Sequence, residues 1–342
     1  MRWTNLKFSK NKVRKAGKIL SSEKPSASDF LEAYEVLSNW RSAHAYPMNT
    51  IQIFLRQQAR RIEKEAIVVQ RLKRTPSIIG KLFREPNMDL DRMQDIAGCR
   101  AVLTSIEKTR KLEKRILDSR TRNTFHSKKD YIENPKNSGY RGIHLIYKYS
   151  GTKEDFNNLF VEIQLRSKIQ HSWATAVEVV DTFTNQALKS NQGQEIWADF
   201  FRFASAEFSL LEKCPIDKTL ESLDTKNELK RLLDELQVIP KLKAFSVTTR
   251  HLTKIPNNKN EYHILILNTK DASIALLTFP LSKLQEATEK YSALEVESKD
   301  DPTMNVVLVS SQSIRELRKA YPNYFADTRE FIANIEKCIT LK

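Results

Sequence analysis

Two acids, a run of lysines and a helix start are the residues whose types and spacing suit phosphate chemistry. In RLKRTPSIIGK (71–81), Thr75 is an N-cap candidate and Pro76 fits the first helical position. Ser77 then lies in the first turn, where unpaired backbone N–H groups attract anions, and Lys81 follows four residues later on the same face. Lys73 and Arg71 enter from the preceding segment. A serine, two lysines and a helix N-terminus thus converge as a triphosphate cradle, with Arg71 placed to stack on a base. An exposed basic helix start is the plain alternative.

A second set comes from alternation. In FVEIQLR (160–166), Val161, Ile163 and Leu165 share one strand face, and Glu162, Gln164 and Arg166 share the other. In GIHLIYKY (142–149), Ile143, Leu145 and Tyr147 face together and His144 faces away. If these strands pair, one polar face holds an acid, an amide, a guanidinium and an imidazole, unless it is an ordinary solvated sheet surface. Asp95 precedes the apolar run IAGCRAVL. Asp95 and Glu162 together suit Mg²⁺ on ATP phosphates, because magnesium commonly takes one or two protein carboxylates plus substrate oxygens.

The elements that must position these residues read as follows. Residues 28–74 read as helical, with Tyr46-Pro47 breaking the pattern and a second helix following from about Thr50 to Leu72. GCRAVL (98–103) is a buried strand and 105–119 a basic helix. Strands 143–149 and 160–166 join through SGTKEDFNN, and a helix runs over 168–180. Residues 195–237 read as mainly helical. KAFSVTTRHL (243–252), YHILILNT (262–269) and SIALLTFP (273–280) read as strands, followed by a helix at 281–293, the strand NVVLVSS (305–311) and two final helices. The expected fold is α+β: a mixed-sheet, pyrophosphotransferase-like synthetase domain flanked by helices (1–195), a helical connector (196–239), and a smaller α+β regulatory domain (240–342).

Composition narrows the partners. Lys and Arg number 57 against 42 Asp and Glu, a net charge of +15 over 342 residues, which favours a polyanion. Residues 1–20 carry seven basic residues and no acid, with Trp3 and Phe8 among them. Cys99, Cys214 and Cys338 make no metal-ligand pattern. No apolar stretch reaches membrane-span length and no signal peptide is apparent, so a cytoplasmic protein without membrane or DNA partners is expected.

Five segments occur in the order and spacing of the RelA/SpoT-type nucleotide pyrophosphokinases: the 71–81 segment, DIAGCR (95–100), KDYI (129–132), KNSGYRGIH (136–144) and VEIQLR (161–166). The chain resembles that family over about residues 60–180. The resemblance implies that Arg71 stacks on adenine, that Lys73, Ser77 and Lys81 hold ATP phosphates, that Asp95 and Glu162 bind Mg²⁺, and that Arg100 contacts the nucleotide. It further implies that Lys129 and Lys136 approach phosphate or acceptor, that Tyr140 stacks on the acceptor base, and that His144, Gln164 and Arg166 orient the acceptor. The implied reaction is attack of a ribose 3′-hydroxyl on the β-phosphorus of ATP. The first 60 residues offer only His44 and Asp29 toward the family's manganese hydrolase, so no alarmone hydrolysis is expected.

The flanks RWTNLKFSK, NWRSAHAYPMNT (39–50) and YPNYFADT (321–328) resemble CapRel-type fused toxin–antitoxin proteins. That resemblance implies pyrophosphorylation of the tRNA 3′-terminal adenosine, a degenerate zinc-finger-like C-terminal antitoxin domain, a phage capsid or other phage protein as trigger, and a monomer. Lys7, Lys10, Lys12, Arg14, Lys15 and Arg41 then become tRNA-binding candidates, and residues 108–129, with nine Lys/Arg against two acids, add to that surface. Tyr321 and Tyr324 are expected to plug the ATP site, although core packing is their more ordinary fate. Two other functions stay open: a small alarmone synthetase making (p)ppGpp or (p)ppApp, and a catalytically inactive RNA-binding regulator.

Overall fold

The computed structural model describes residues 3–184, 191–248, 261–268, 273–298, 301, 304–311 and 327–340. Three helices come first: α1 (Lys10–Leu20), α2 (Ala27–Ala43) and α3 (Ala45–Ile62). Ser9 and Ser26 cap α1 and α2 by accepting the N–H groups of Lys12 and Asp29. The basic N-terminus is anchored on one side only. Val13, Ala16 and Leu20 pack against Leu37 and Trp40, with Trp3 and Phe8 joining them, while Lys10, Lys12 and Lys15 face solvent.

The helix expected to reach Leu72 ends at Ile62, and β1 covers Ile67–Leu72. Ile67, Val68 and Val69 are β-branched and suit a pleated surface better than a helix turn. β1 pairs antiparallel with β2 (Ala97–Leu103), from Ile67 opposite Val102 to Leu72 opposite Ala97. Between them lies α4 (Thr75–Arg84). Then come α5 (Ile106–Leu117), β3 (Thr124–Asp130), β4 (Ile143–Lys148), β5 (Phe160–Ser167) and α6 (Lys168–Thr184). The strand pair read from alternation exists: β4 and β5 run antiparallel with His144 opposite Gln164.

Helices α7 (Asn191–Leu211), α8 (Thr225–Glu235) and α9 (Val238–Thr248) follow. α9 replaces the first part of the strand expected at 243–252; Val238 and Leu242 are both buried, at a helical spacing that serves the neighbouring helical core. Residues 249–252 lie outside the described residues. β6 (Glu261–Asn268), β7 (Ser273–Pro280), α10 (Leu284–Glu297), β8 (Met304–Ser311) and α11 (Arg329–Thr340) complete the described elements.

The eight strands among the described residues form one mixed sheet in the order β3-β4-β5-β2-β1-β8-β6-β7. β2 and β5 are parallel and the other pairs antiparallel. The architecture is thus the expected α+β class, and the C-terminal strands join at β1, where Val309 lies opposite Arg71. Alternation gives the sheet two chemistries. Cys99, Ala101, Leu145, Ile163 and Leu165 bury one face under Met48, Ile51 and Leu55 of α3 and Leu112 and Ile116 of α5. The opposite face keeps its polar side chains for the site. A separate aromatic core joins α6, α7 and α11, where Phe331 meets Phe208 at a centroid distance of 5.5 Å.

Candidate active site

Register puts the expected site residues on one face. Arg71 stands opposite Gly98, and Gly98 opposite Glu162. One step along, Arg100 stands opposite Gln164, Gln164 opposite His144, and His144 opposite Lys129. Cross-strand partners point to the same side. Gly98 contributes no side chain between Arg71 and Glu162, and there a cleft of ≈ 100 Å³ opens, lined by Arg71, Lys73, Asp95, Arg100, Glu162 and Gln164 among others.

Asp95 holds two cations. Its Oδ2 accepts from Lys73 Nζ and its Oδ1 from Lys81 Nζ, each at 3.1 Å. Burial alone drives the Asp95 carboxyl upward, but the charges and hydrogen bonds of the two lysines outweigh it and leave it below the ordinary carboxylate value. Lys81 reaches this point because α4 carries it one turn past Ser77, which sits half-buried in the first turn. The cap differs from expectation. Arg74 is the N-cap without a side-chain cap bond, Thr75 is the first helical residue and Pro76 the second. With no N–H on Pro76, the remaining early donors of α4 are few, and the Thr75 N–H is taken by Glu295 of α10 at 3.1 Å.

Glu162 lies at the other end of the cleft. His144 Nδ1 approaches its Oε1 at 2.8 Å and Gln164 Nε2 donates to its Oε2 at 2.7 Å. Burial raises the Glu162 carboxyl, the bonds and charge of His144 and the Gln164 bond lower it further than that, and the charge of Asp95 pushes it back up; the net shift is downward. Asp95 and Glu162 thus sense each other electrostatically. Among the described residues no group of three or more His, Cys, Asp and Glu forms a metal cage. The pair matches the sparse carboxylate donor set of magnesium, which completes its shell with water and phosphate oxygens.

A polar chain runs on from Glu162. A carboxylate only accepts, so His144 donates from Nδ1, and its Nε2 is hydrogen-bonded to the Tyr140 hydroxyl, 2.6 Å away. Arg166 Nη2 donates to the Tyr140 oxygen at 3.0 Å and to Gln164 Oε1 at 3.3 Å, and Arg100 Nε donates to the same Gln164 oxygen at 3.2 Å. Burial, then the nearby charges of Arg166 and Arg71, bring the Arg100 guanidinium down to about 10, against a partial opposing pull from Glu178. Arg166 is 4% exposed, and its Nε and Nη1 have no hydrogen-bond partner among the described residues. Mutually repelling guanidiniums with donors to spare are suited to an anion.

The loop after β3 supplies an aromatic box. Tyr131 and Tyr140 meet edge-on at 5.7 Å, Lys136 Nζ lies 4.5 Å from the Tyr131 ring centre, and Arg166 covers Tyr140 at 5.1 Å. Tyr131, in the KDYI segment, has no role expected from the sequence, and its ring contacts make it one wall of the box. Lys129 and Lys136 are exposed at the rim.

The remaining expected residues are more dispersed. Lys7, Lys10, Lys12 and Lys15 are exposed, Lys12 beside Glu32 at 2.8 Å. Arg14 pairs with Asp91 at 2.9 Å. Arg41 is only 3% exposed; its Nε donates to the Lys73 carbonyl at 2.7 Å and its guanidinium lies 4.7 Å from the Tyr291 ring centre. It therefore braces the strand-to-α4 turn instead of joining the surface lysines. Asp29 and His44 are apart from the cleft: Asp29 lies in the first turn of α2, its N–H donating to the Ser26 cap, and burial brings the His44 ring down to about 4. Tyr321 and Tyr324 lie outside the described residues.

Residues 70–181 match the model of the region found in RelA / SpoT proteins. GTP pyrophosphokinase YjbM of Bacillus subtilis is 35% identical over 111 residues, 32% of this chain and 52% of that protein. An uncharacterized Mycobacterium tuberculosis protein is 29% identical over 135 residues, 38% of this chain and 45% of that one. The chain thus spans about half the length of the curated relatives it matches. Among solved structures, small alarmone synthetase 1 from Bacillus subtilis bound to its product pppGpp aligns with a TM-score of 0.42 and 24% identity, covering 49% of this chain and 90% of that one. The site from Arg71 to Arg166 lies wholly inside the stretch, residues 70–181, that is similar to the region found in RelA / SpoT proteins.

Proposed function

We propose that the protein transfers pyrophosphate from ATP to a ribose 3′-hydroxyl. The observation that carries this reading is the Asp95 carboxylate set between Lys73 and Lys81, on the same cleft as Glu162. In this reading Lys73, Ser77 and Lys81 take the ATP phosphates and Arg71 stacks on adenine. Asp95 and Glu162 would hold Mg²⁺, which when bound neutralises phosphate charge. Loading the triphosphate exchanges partners: the lysines turn from Asp95 to phosphate oxygens, leaving the carboxylate for the cation. Tyr140 stacks on the acceptor base, and Arg166 and Arg100 supply positive potential beside it. The 3′-oxygen then bonds to the β-phosphorus, the bond from that phosphorus to the bridging oxygen of AMP breaks so that AMP leaves, and the hydroxyl proton passes to solvent water. Little covalent work falls to the protein; alignment and charge stabilisation carry the rate.

For the acceptor, we infer the 3′-terminal adenosine of tRNA. The exposed Lys7, Lys10, Lys12 and Lys15, with Lys111, Lys114, Arg120 and Arg122 around α5, give more positive surface than a mononucleotide uses. The C-terminal segment 240–342 acts in this reading as an in-cis antitoxin, released by a phage protein, with Tyr321 and Tyr324 as the plug. A second reading, synthesis of a guanosine or adenosine alarmone, is favoured by the name of the Bacillus subtilis relative.

The test is transfer of label from β,γ-labelled ATP. The full chain and Tyr324→Ala are incubated with tRNA or GDP and Mg²⁺. Label on the tRNA 3′ end supports the first acceptor and label on the guanosine nucleotide the second. Transfer to neither by both proteins refutes the pyrophosphotransfer reading.

A further inference from the structure

We propose that α7 is a built part of the acceptor subsite, with Ser205 and Glu212 as positioning residues for the loop that presents Tyr140. The proposal rests on the pyrophosphotransfer reading, and it moves α7 from a connector into the working site.

The loop is clamped at two points. Ser205 Oγ donates to the Gly139 carbonyl at 2.5 Å in a buried setting. Gly139 has φ +84, and a Cβ there would come within 3.0 Å of Ser205 Cβ, 3.1 Å of the Phe201 carbonyl and 3.1 Å of Trp173 Cζ2. The backbone just before Tyr140 is therefore pressed against α7 and α6 in a conformation that glycine tolerates. Trp173 is itself fixed, its Nε1 donating to the Phe201 carbonyl at 2.8 Å.

The second clamp lies just after Tyr140. Arg141 is 3% exposed and its Nη2 donates to Glu212 Oε2 at 2.9 Å. The other Glu212 oxygen accepts from Ser167 Oγ. Glu212 follows the last residue of α7, so one carboxylate ties the residue beside Tyr140 to the residue beside Arg166. Those two neighbours share a hydrogen bond, Arg166 Nη2 to the Tyr140 oxygen at 3.0 Å. A buried ion pair contributes little net stability over an apolar replacement, whereas losing one partner is costly. Its use here is geometric: it fixes two acceptor-side groups at one separation. Neither Ser205 nor Glu212 lines the cleft; each acts through the loop it holds.

The experiment compares the full-length protein with Ser205→Ala and Glu212→Gln. Hydrogen–deuterium exchange is followed across residues 131–142, and transfer kinetics use Mg²⁺-ATP with tRNA and with GDP. The clamp predicts faster exchange in that segment, an acceptor KM raised about tenfold, and an ATP KM within about twofold of the parent. Unchanged exchange in the segment overturns it, as does a parallel rise of both KM values. Ser205→Ala, which removes one hydroxyl, decides the matter if Glu212→Gln does not fold. If neither the parent nor Tyr324→Ala transfers to either acceptor, the activity reading fails on its own, and the exchange data still decide the clamp.

Discussion

The Glu295 carboxylate accepts both the backbone N–H and the hydroxyl of Thr75, at 3.1 and 2.9 Å, across 220 residues of sequence. It also accepts the Tyr291 hydroxyl, and Tyr291 stacks under Arg41. An acid from α10 thus sits at the N-terminus of the helix that carries Ser77 and Lys81. A negative charge at a helix start stabilises the helix, and it also lowers the potential felt by an incoming phosphate. Glu295→Gln keeps an acceptor oxygen while removing the charge. Titration with a non-hydrolysable ATP analogue and Mg²⁺ should show a Kd about threefold lower than the parent, the scale of one helix-terminus charge. Equal or weaker binding would show that Glu295 braces α4 without opposing the nucleotide.

Glu162 is held by His144 and Gln164 on its two oxygens. Glu162→Gln retains size and can keep one of those bonds, but loses the anion that the proposed magnesium site needs. Transfer should fall by about 10³-fold or more, the scale of removing a group that stabilises transition-state charge, while thermal unfolding shifts little. Retained transfer would remove Glu162 from the metal assignment.

Acid stability follows from the same carboxylates. Asp95 and Glu162 both sit below their ordinary values when folded. The unfolded chain therefore binds more protons near the ordinary carboxylate range, so stability rises with pH there. Their contribution is complete above about pH 5 and is lost as pH falls through the depressed folded values, below about pH 4. Urea unfolding at a series of pH values should show a shallower acid limb in Asp95→Asn than in the parent. A limb of equal slope would mean that Asp95 keeps its ordinary affinity for protons in the folded protein.

Period-two alternation made the polar sheet face legible, because Glu162, Gln164 and Arg166 alternate with buried Val161, Ile163 and Leu165. The helix start near Pro76 is legible to within one residue, Arg74 taking the cap expected at Thr75. Two local signals misled. Apolar spacing after Thr50 ran on through Ile67–Leu72, where β-branched side chains and pairing with β2 decide for a strand. The segment after Lys243 reads as a strand by composition, yet Val238 and Leu242 hold it in a helix over the α7–α8 core. Distant partnerships left no local trace. Nothing near Asp95 announces both lysines, nothing near Arg141 announces Glu212, and nothing near Thr75 announces Glu295. Each depends on how the sheet and helices bring separated segments together.

Tyr140 separates stacking from hydrogen bonding within one side chain. Its ring lies between Lys136, Tyr131 and Arg166, and its hydroxyl alone joins His144 Nε2 to Arg166 Nη2. Tyr140→Phe keeps the ring and breaks the bridge, leaving a partly buried imidazole nitrogen and an arginine N–H short of a partner. Such a loss costs about 1–3 kcal/mol. Because the bridge orients His144, and His144 holds Glu162, the loss belongs on kcat: about a tenfold decrease with the acceptor KM close to that of the parent. Tyr140→Leu removes the aromatic face as well, and there the acceptor KM should rise about tenfold, the scale of losing one base–aromatic stack. Steady-state kinetics on the two variants distinguish the roles. If Tyr140→Phe and Tyr140→Leu raise the acceptor KM equally, the hydroxyl bridge, and not the ring, is what the acceptor senses.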